Sequence, residues 1–595
     1  MTRTDGYAAI EDYALVGDGR TAALVARDGS IDWLCLPDFD SPSVFGRLLD
    51  ADRGGAFTLA PLGPFDSERS YVEGTNVLTT TFSTSTGSVR VTDAMTLADP
   101  VSLAPLRQLV RKVDGLSGRV ELDWRIEPRF DYGRSRGTIG RRAGRFVATH
   151  RKRALGVDVW GGDAHADRDG AVGGRITVEA GDAALLALTA AYCDPLVFDT
   201  RGSAERRLER TIDFWRSWSE RATYEGPWHE LVVRSALVLK LLVYAPSAAI
   251  VASPTASLPE WIGGERNWDY RYSWVRDAAF TLVALLRLGY HDEASSFLWW
   301  LEHATALTQP EIRALYRLTG STDLSESKLP HLDGYRGSKP VRVGNAAAGQ
   351  LQLDVYGAMF DALWRHVCEA GHLSAHDGKA IAKIADWVAE NWRREDHGIW
   401  ESRDAVAHYT HSKAMCWVAL DRACKLAERG ILPDRESRWS KEAEAIRAFA
   451  EERLWDDEQS TYTRASDTSE LDGALLLLSV FEYLDPRDPR LLGTIDAVQR
   501  ELREGVLVRR YRSEDGLGSI EGAFLPCSFW LVAALAKAGR RDEAVELMEG
   551  LAELANDVGL YAEELAPDGS FLGNFPQALT HLALVAAALA LEETA

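Results

Sequence analysis

Six cysteines serve 595 residues, and no two of them stand in C-x-x-C spacing. Cys35, Cys193, Cys368, Cys416, Cys424 and Cys527 are scattered. This argues against a disulfide frame or a cysteine-rich zinc site and reads as buried free thiols in a reducing compartment. Positive charge is also short: 67 Lys and Arg against 89 Asp and Glu leave a formal charge of −22. Such a surface repels nucleic acid and anionic membranes, so neither is an expected partner and a neutral or cationic one is favoured. The longest uncharged apolar run, "ALTHLALVAAALAL" at 578–591, has 14 residues. It is too short to span a bilayer and fits a buried helix. The start, "MTRTDGYAAIEDYALVGDGR", has no basic segment followed by an apolar one. No export signal is read there, and a cytoplasmic location is expected.

Cofactor motifs are equally scarce. No G-x-x-x-x-G-K-[ST] loop occurs, and "GDGRTA" at 17–22 is followed by a strand and a turn, not by a helix that could hold pyrophosphate. His408 and His411 lack the i, i+4 spacing and adjacent glutamate of a zinc protease, which leaves them a structural or substrate-contacting role. No cofactor and no metal are expected. What is present is 46% apolar and 26% charged residues, a globular balance in a chain too long for one core. Self-association into a homo-oligomer stays open.

Two periods divide the chain. Residues 1 to about 200 carry short apolar runs separated by Gly and Asp, as in "TAALVARDGSIDWLCL" around Asp28-Gly29, and predict an antiparallel β-sandwich. In "SAERRLERTIDFWRSWSERA" (203–222), Leu208, Ile212, Trp215 and Trp218 fall on one stripe, with Ser203 available as N-cap, and predict a connecting helix. Beyond Pro227 the spacing predicts helices starting near 228, 274, 291, 350, 376, 409, 435, 468, 488, 525, 540 and 575. "FTLVALLRLGYHDEA" (280–294) and "FWLVAALAKAGRRDEA" (529–544) echo each other, as helix pairs in an array do. An open array needs a polar last repeat, yet the final helix is among the most apolar, which favours a closed ring.

Charged and aromatic residues gather before several of these helices. "ERNWDYRYSWVRDAAF" (265–280) sets Trp268, Tyr270 and Trp274 among Arg266, Asp269, Arg271, Arg276 and Asp277. A neutral sugar needs this mixture, flat rings for its C–H faces and charged forks for its hydroxyls. The alternative is a helix start whose Arg and Asp pair only with each other. "RGSKPVRVGNAAAGQLQLDVYG" (336–357) adds Asn345, Gln350, Gln352 and Asp354, and "DHGIWESRDAVAHYTH" (396–411) adds Trp400 beside Glu401. "GLYAEELAPDGSFLGNFPQALTH" (559–581) adds Glu563 and Glu564. Two carboxylates from separate loops, one protonated and one ionised, are what hydrolysis of a glycosidic bond requires.

With these motifs, together with "GSIDWLCLPDFDSPSVFGRLLD", "HYTHSKAMCWVALDRA" and "SFWLVAALA", nearly the whole chain resembles glycoside hydrolase family 15, the glucoamylase and glucodextranase family. The resemblance implies an α+β multidomain protein: an N-terminal β-sandwich (1–200), a linker helix (201–226) and a catalytic (α/α)6 barrel (227–595). It implies Glu401 as general acid with Trp400 as its aromatic wall, and Glu563 as the base that stays ionised. Arg276 and Asp277, beside Trp274, would grip the non-reducing glucose, and Arg510 in "RRYRSED" would add a sugar-binding arginine. Starch- and dextran-cleaving members carry Glu-Gln at the base, whereas Glu563-Glu564 is similar to the trehalase branch. Glu564 would then orient Glu563 or meet the second glucose. The substrate implied is α,α-trehalose, hydrolysed with inversion across carboxyl groups roughly 6.5–9.5 Å apart. An intracellular α-glucosidase on malto- or isomalto-oligosaccharides, and a helical scaffold that binds without catalysis, stay open.

Overall fold

The computed structural model describes residues 3–97, 107–370, 375–403, 406–512 and 521–594. Its first part is antiparallel β-structure. Tyr13–Gly17 pairs with Ala22–Ala26, which pairs with Ile31–Cys35 across a turn where Gly29 takes φ 79°. "GDGRTA" is thus the turn of a hairpin. The 20-residue strand Arg107–Ile126 organises the rest. Its first half pairs with Gly87–Thr96 and Ala183–Tyr192, its second half with Phe57–Pro61 and Val172–Glu179. One long strand therefore serves two parts of the β region.

The connecting helix α1 spans Arg201–Ser219 and buries Leu208, Trp215 and Trp218. Its N-cap is Thr200, whose side chain accepts from the Ser203 amide; Ser203, the expected cap, lies inside the first turn. Trp218 stacks on Tyr290 at 3.9 Å between ring centroids and donates to Glu293 at 2.6 Å. All six cysteines are free, but Cys193 and Cys368 are exposed instead of buried.

Helices follow in strict alternation: α2 (His229–Leu241), α3 (Val275–Arg287), α4 (His291–Thr305), α5 (Asp354–Ala370), α6 (Ala375–Asn391) and α7 (Thr410–Glu428). Then come α8 (Glu436–Arg453), α9 (Leu477–Val480), α10 (Pro489–Leu502), α11 (Leu525–Lys537), α12 (Arg541–Ala552) and α13 (Ala578–Glu593). The odd-numbered helices from α3 onward form an inner set. α3 packs on α5, α5 on α7, α7 on α9, α9 on α11, α11 on α13, and α13 returns to α3. Helix α13 is buried from Ala578 to Leu591 except at Ala586, which explains why it is apolar on every side. The main difference from the expected starts is α9. The Asp472 side chain accepts from the Ala474 amide, and only a 3-10 turn, Gly473–Leu476, precedes the four α-helical residues. Among the described residues no helix is long and apolar enough to cross a membrane.

The two parts are locked together through Arg271. Its guanidinium is fully buried, bonds both oxygens of Asp269 at 2.8 and 2.7 Å, and donates to Ser41 O at 2.8 Å and Tyr132 Oη at 2.8 Å. Trp33 Nε1 adds a bond of 2.8 Å to Pro254 O. The charged cluster before α3 therefore divides. Asp269 and Arg271 face the β region, while their neighbours face the ring.

Candidate active site

Six loops, each entering an inner helix, meet at one end of the ring. One cavity there is lined by Glu260, Trp268, Tyr270 and Trp274 before α3, Asn345 before α5 and Trp400-Glu401 before α7. Arg464 arrives before α9, Arg510 and Phe524 before α11, and Gln577 and Leu579 at the start of α13. Arg276 and Asp277 join them from the first turn of α3. Inner helices that begin at the same end bring residues hundreds of positions apart into one polar pocket.

Glu401 sits where the backbone is strained, at φ 58°, a region that ordinary side chains rarely adopt. Gln350 Nε2 holds its carbonyl at 3.0 Å, and Arg276 Nη1 holds the Ile399 carbonyl at 3.1 Å. Its carboxylate accepts from Trp274 Nε1 at 2.5 Å and Gln352 Nε2 at 3.4 Å, with Arg276 Nη2 at 4.0 Å. Burial pushes the Glu401 carboxyl above its ordinary value, while Arg276 and the Trp274 N–H restrain the rise. The tryptophan bonded to the acid is therefore Trp274. Trp400 was expected to wall it, but adjacency in the chain does not set side-chain direction. The Trp400 indole donates to both Asp472 oxygens at 2.8 and 2.9 Å and packs edge-on against Phe524.

Glu563 is 1% exposed. Its Oε2 accepts from the Asn574 amide at 2.9 Å, and Oε1 is buried without a hydrogen-bond partner of ordinary geometry. Burial, then the negative charge of Glu260, push its carboxyl up; Asn574 N–H, Arg510 and Tyr270 oppose this. Desolvation thus favours its proton, against the expectation of an ionised base, while the Asn574 N–H and Arg510 favour the charged form. The Tyr270 phenol is held protonated by burial and by Glu563, Glu260 and Glu401 around it, so it acts as a donor among those carboxylates.

Behind the cavity wall Glu564 is fully buried, with Oε1 on Arg510 at 2.8 Å and Oε2 on the Gly522 amide at 2.9 Å. Glu564, expected to orient Glu563 or to meet the second glucose, thus stands behind Arg510 and does not line the cavity. Arg510 Nη2 lies 2.8 Å from one oxygen each of Glu260, Glu521 and Glu564. These three are the one group of close metal-type ligands among the described residues, and a guanidinium already occupies the space between them. His411 is buried and pushed down to about 3 by burial and Arg276, so it is neutral; His408 packs on Phe449 instead.

Glu260 and Asp472 escaped the sequence reading. Asp472 precedes an apolar run and reads as an N-cap, which it also is. Glu260 is a lone acid in "SLPEWIGG" with no periodic signal.

Comparison with known proteins follows the same lines. The family profile described as Glycosyl hydrolases family 15 matches residues 226–589, and that described as Trehalase-like, N-terminal, matches residues 4–153. A trehalase of Thermoplasma volcanium is 36% identical over 598 residues, 99% of this chain and 94% of its own. A trehalase of Mycobacterium tuberculosis is 37% identical over 611 residues, 97% of this chain and 88% of its own. Among solved structures, a bacterial glucoamylase complexed with acarbose has a TM-score of 0.72 at 13% identity, covering 99% of this chain and 95% of that one. At that identity the likeness concerns the fold.

Proposed function

The chain belongs to glycosyl hydrolase family 15, and from that premise we propose that it is an α,α-trehalase that cleaves trehalose into two glucose molecules with inversion. The relatives that span nearly its whole length are trehalases. We read the helical part, residues 227–595, as an (α/α)6 barrel, because its six inner helices close on one another in chain order. Residues 1–200 are read as a β-sandwich and 201–226 as the linker between them.

In this reading one glucose lies against Arg276 and Asp277, the charged pair in the first turn of α3. Glu401 gives its proton to the bridging oxygen. Glu563 takes a proton from a water that attacks the anomeric carbon from the opposite face. Both carboxyls favour protonation in the buried pocket, so the productive state is the one in which a single proton of the pair sits on Glu401. Positive charge that develops on the sugar beside Glu563 favours its ionised form at the moment of reaction. Trp274 and Gln352 orient the acid, and Tyr270 supplies a hydroxyl between the two carboxylates.

The observation that carries this reading is the meeting of all six inner-helix loops around Glu401. Glucose release from trehalose, maltose, isomaltose and soluble starch tests it. Trehalose is expected to be hydrolysed in clear preference to the rest. Preferred release from maltose or isomaltose would identify the α-glucosidase alternative, and no release from any would identify a binding scaffold.

A further inference from the structure

Arg276, Asp277 and Glu401 account for one end of the cavity, with Glu563 buried beside Tyr270 in its wall, and leave the other end unassigned. That end is built by loop residues, Glu260, Arg266 and Trp268 from the segment before α3 and Arg510 and Tyr511 from the segment before α11. Glu260 is its buried carboxylate, 2% exposed yet lining the cavity. Oε1 accepts from Trp268 Nε1 at 2.9 Å, and Oε2 accepts from Arg510 Nη2 at 2.8 Å with Arg266 Nη1 at 3.6 Å. Two carboxylate oxygens offer about four acceptor directions, and these donors leave acceptor capacity unused. The surroundings hold the group still. Arg403 and Arg342 lie 4.0 and 4.5 Å from the Trp268 ring centre. The Pro259 carbonyl, one residue before Glu260, accepts from the Gly573 amide at 2.7 Å, and Asn574 next to it binds Glu563.

We propose that Glu260 reads the hydroxyls of the second, departing glucose and so sets the preference for a disaccharide. This rests on the trehalase reading above. Glu401 must reach the oxygen that joins the sugars. With one ring against Arg276 and Asp277 in the first turn of α3, the other ring lies toward the loop residues. There it meets a carboxylate already oriented by two donors, and a fixed charged acceptor of this kind discriminates strongly for a matching hydroxyl.

The test compares wild type, Glu260→Gln, Glu260→Ala and Glu521→Gln on trehalose and on α-glucosyl fluoride, whose leaving group occupies no second sugar site. For Glu260→Ala, with each variant compared at its own pH optimum because the charge of Glu260 acts on Glu563, kcat/KM on trehalose is expected to fall about 100-fold with KM rising, while the fluoride changes by less than about threefold. Glu260→Gln, which keeps the shape and one acceptor, is expected to lose about tenfold on trehalose alone. Glu521→Gln loosens Arg510 from outside the cavity lining but keeps the Glu260 carboxylate, and is expected to lose far less on trehalose than Glu260→Ala does. Equal losses on both substrates in the Glu260 variants overturn the proposal and place Glu260 with the first sugar or the chemistry. A wild-type protein that hydrolyses the fluoride but not trehalose overturns the functional reading itself, and the assignment of Glu260 with it.

Discussion

Glu401 lines the cavity and Glu563 lies buried beside Tyr270 of its wall; both are driven by burial toward their protonated forms, but different neighbours restrain them. Glu401 has Arg276 and the Trp274 indole; Glu563 has the Asn574 amide and Arg510, against the charge of Glu260. The sign of the pH dependence follows. On the acid side, kcat/KM falls as Glu563 gains a proton, and on the alkaline side as Glu401 loses one. Because both values are raised, both half-falls are expected above 4.5, the ordinary value of a glutamate. Full activity maintained down to pH 4.5 would contradict Glu563 as base. Glu401→Gln should lower kcat on trehalose by about 10²–10⁴-fold and remove the alkaline fall, with far less loss on α-glucosyl fluoride, whose leaving group needs no proton. At this scale the sequence was legible for the placement of Glu401 and Arg276, which both line the cavity. It was not legible for Glu260, an isolated acid, nor for the direction of Trp400, which only the packing of Phe524 and Asp472 decides.

The inner helices come close because small residues let them. Gly357 of α5 has no room for a side chain: a Cβ there would stand 2.3 Å from the Met415 carbonyl oxygen of α7. Gly357→Ala must separate the two helices, an overpacking cost of about 1–3 kcal/mol, partly offset by the roughly 1 kcal/mol better helix propensity of alanine. Urea unfolding should show a lower midpoint with the helical content retained. An unchanged or higher midpoint would mean that α5 and α7 do not approach as described. Helix starts were readable from period and caps to within a few residues for most elements. The exception, α9, looked like a longer helix because "LDGALLLLSVF" carries an unbroken apolar run, "ALLLL". Apolar content marks burial, and here the chain leaves the helix at Phe481 and takes φ 59° at Glu482.

Across the whole molecule, the change of period near residue 200 revealed two parts, but not how they are joined. Arg271 and Asp269 looked like members of the sugar cluster, because sequence proximity to Tyr270 cannot tell which way alternate residues face. They pair instead under the β region, with Ser41 and Tyr132 completing the shell. Arg271→Ala strands the buried Asp269 carboxylate and is expected to destabilise the protein by about 3–5 kcal/mol. Denaturant titration followed by tryptophan fluorescence would measure it, and a loss below about 1 kcal/mol would show that the two parts do not depend on this contact.

The central claim is that Glu401 and Glu563 act from opposite faces of one trehalose linkage. Proton NMR of the first glucose formed from trehalose, read before the anomers equilibrate, tests it most directly. One α-glucose and one β-glucose per trehalose is the result predicted; release of α-glucose alone would contradict it.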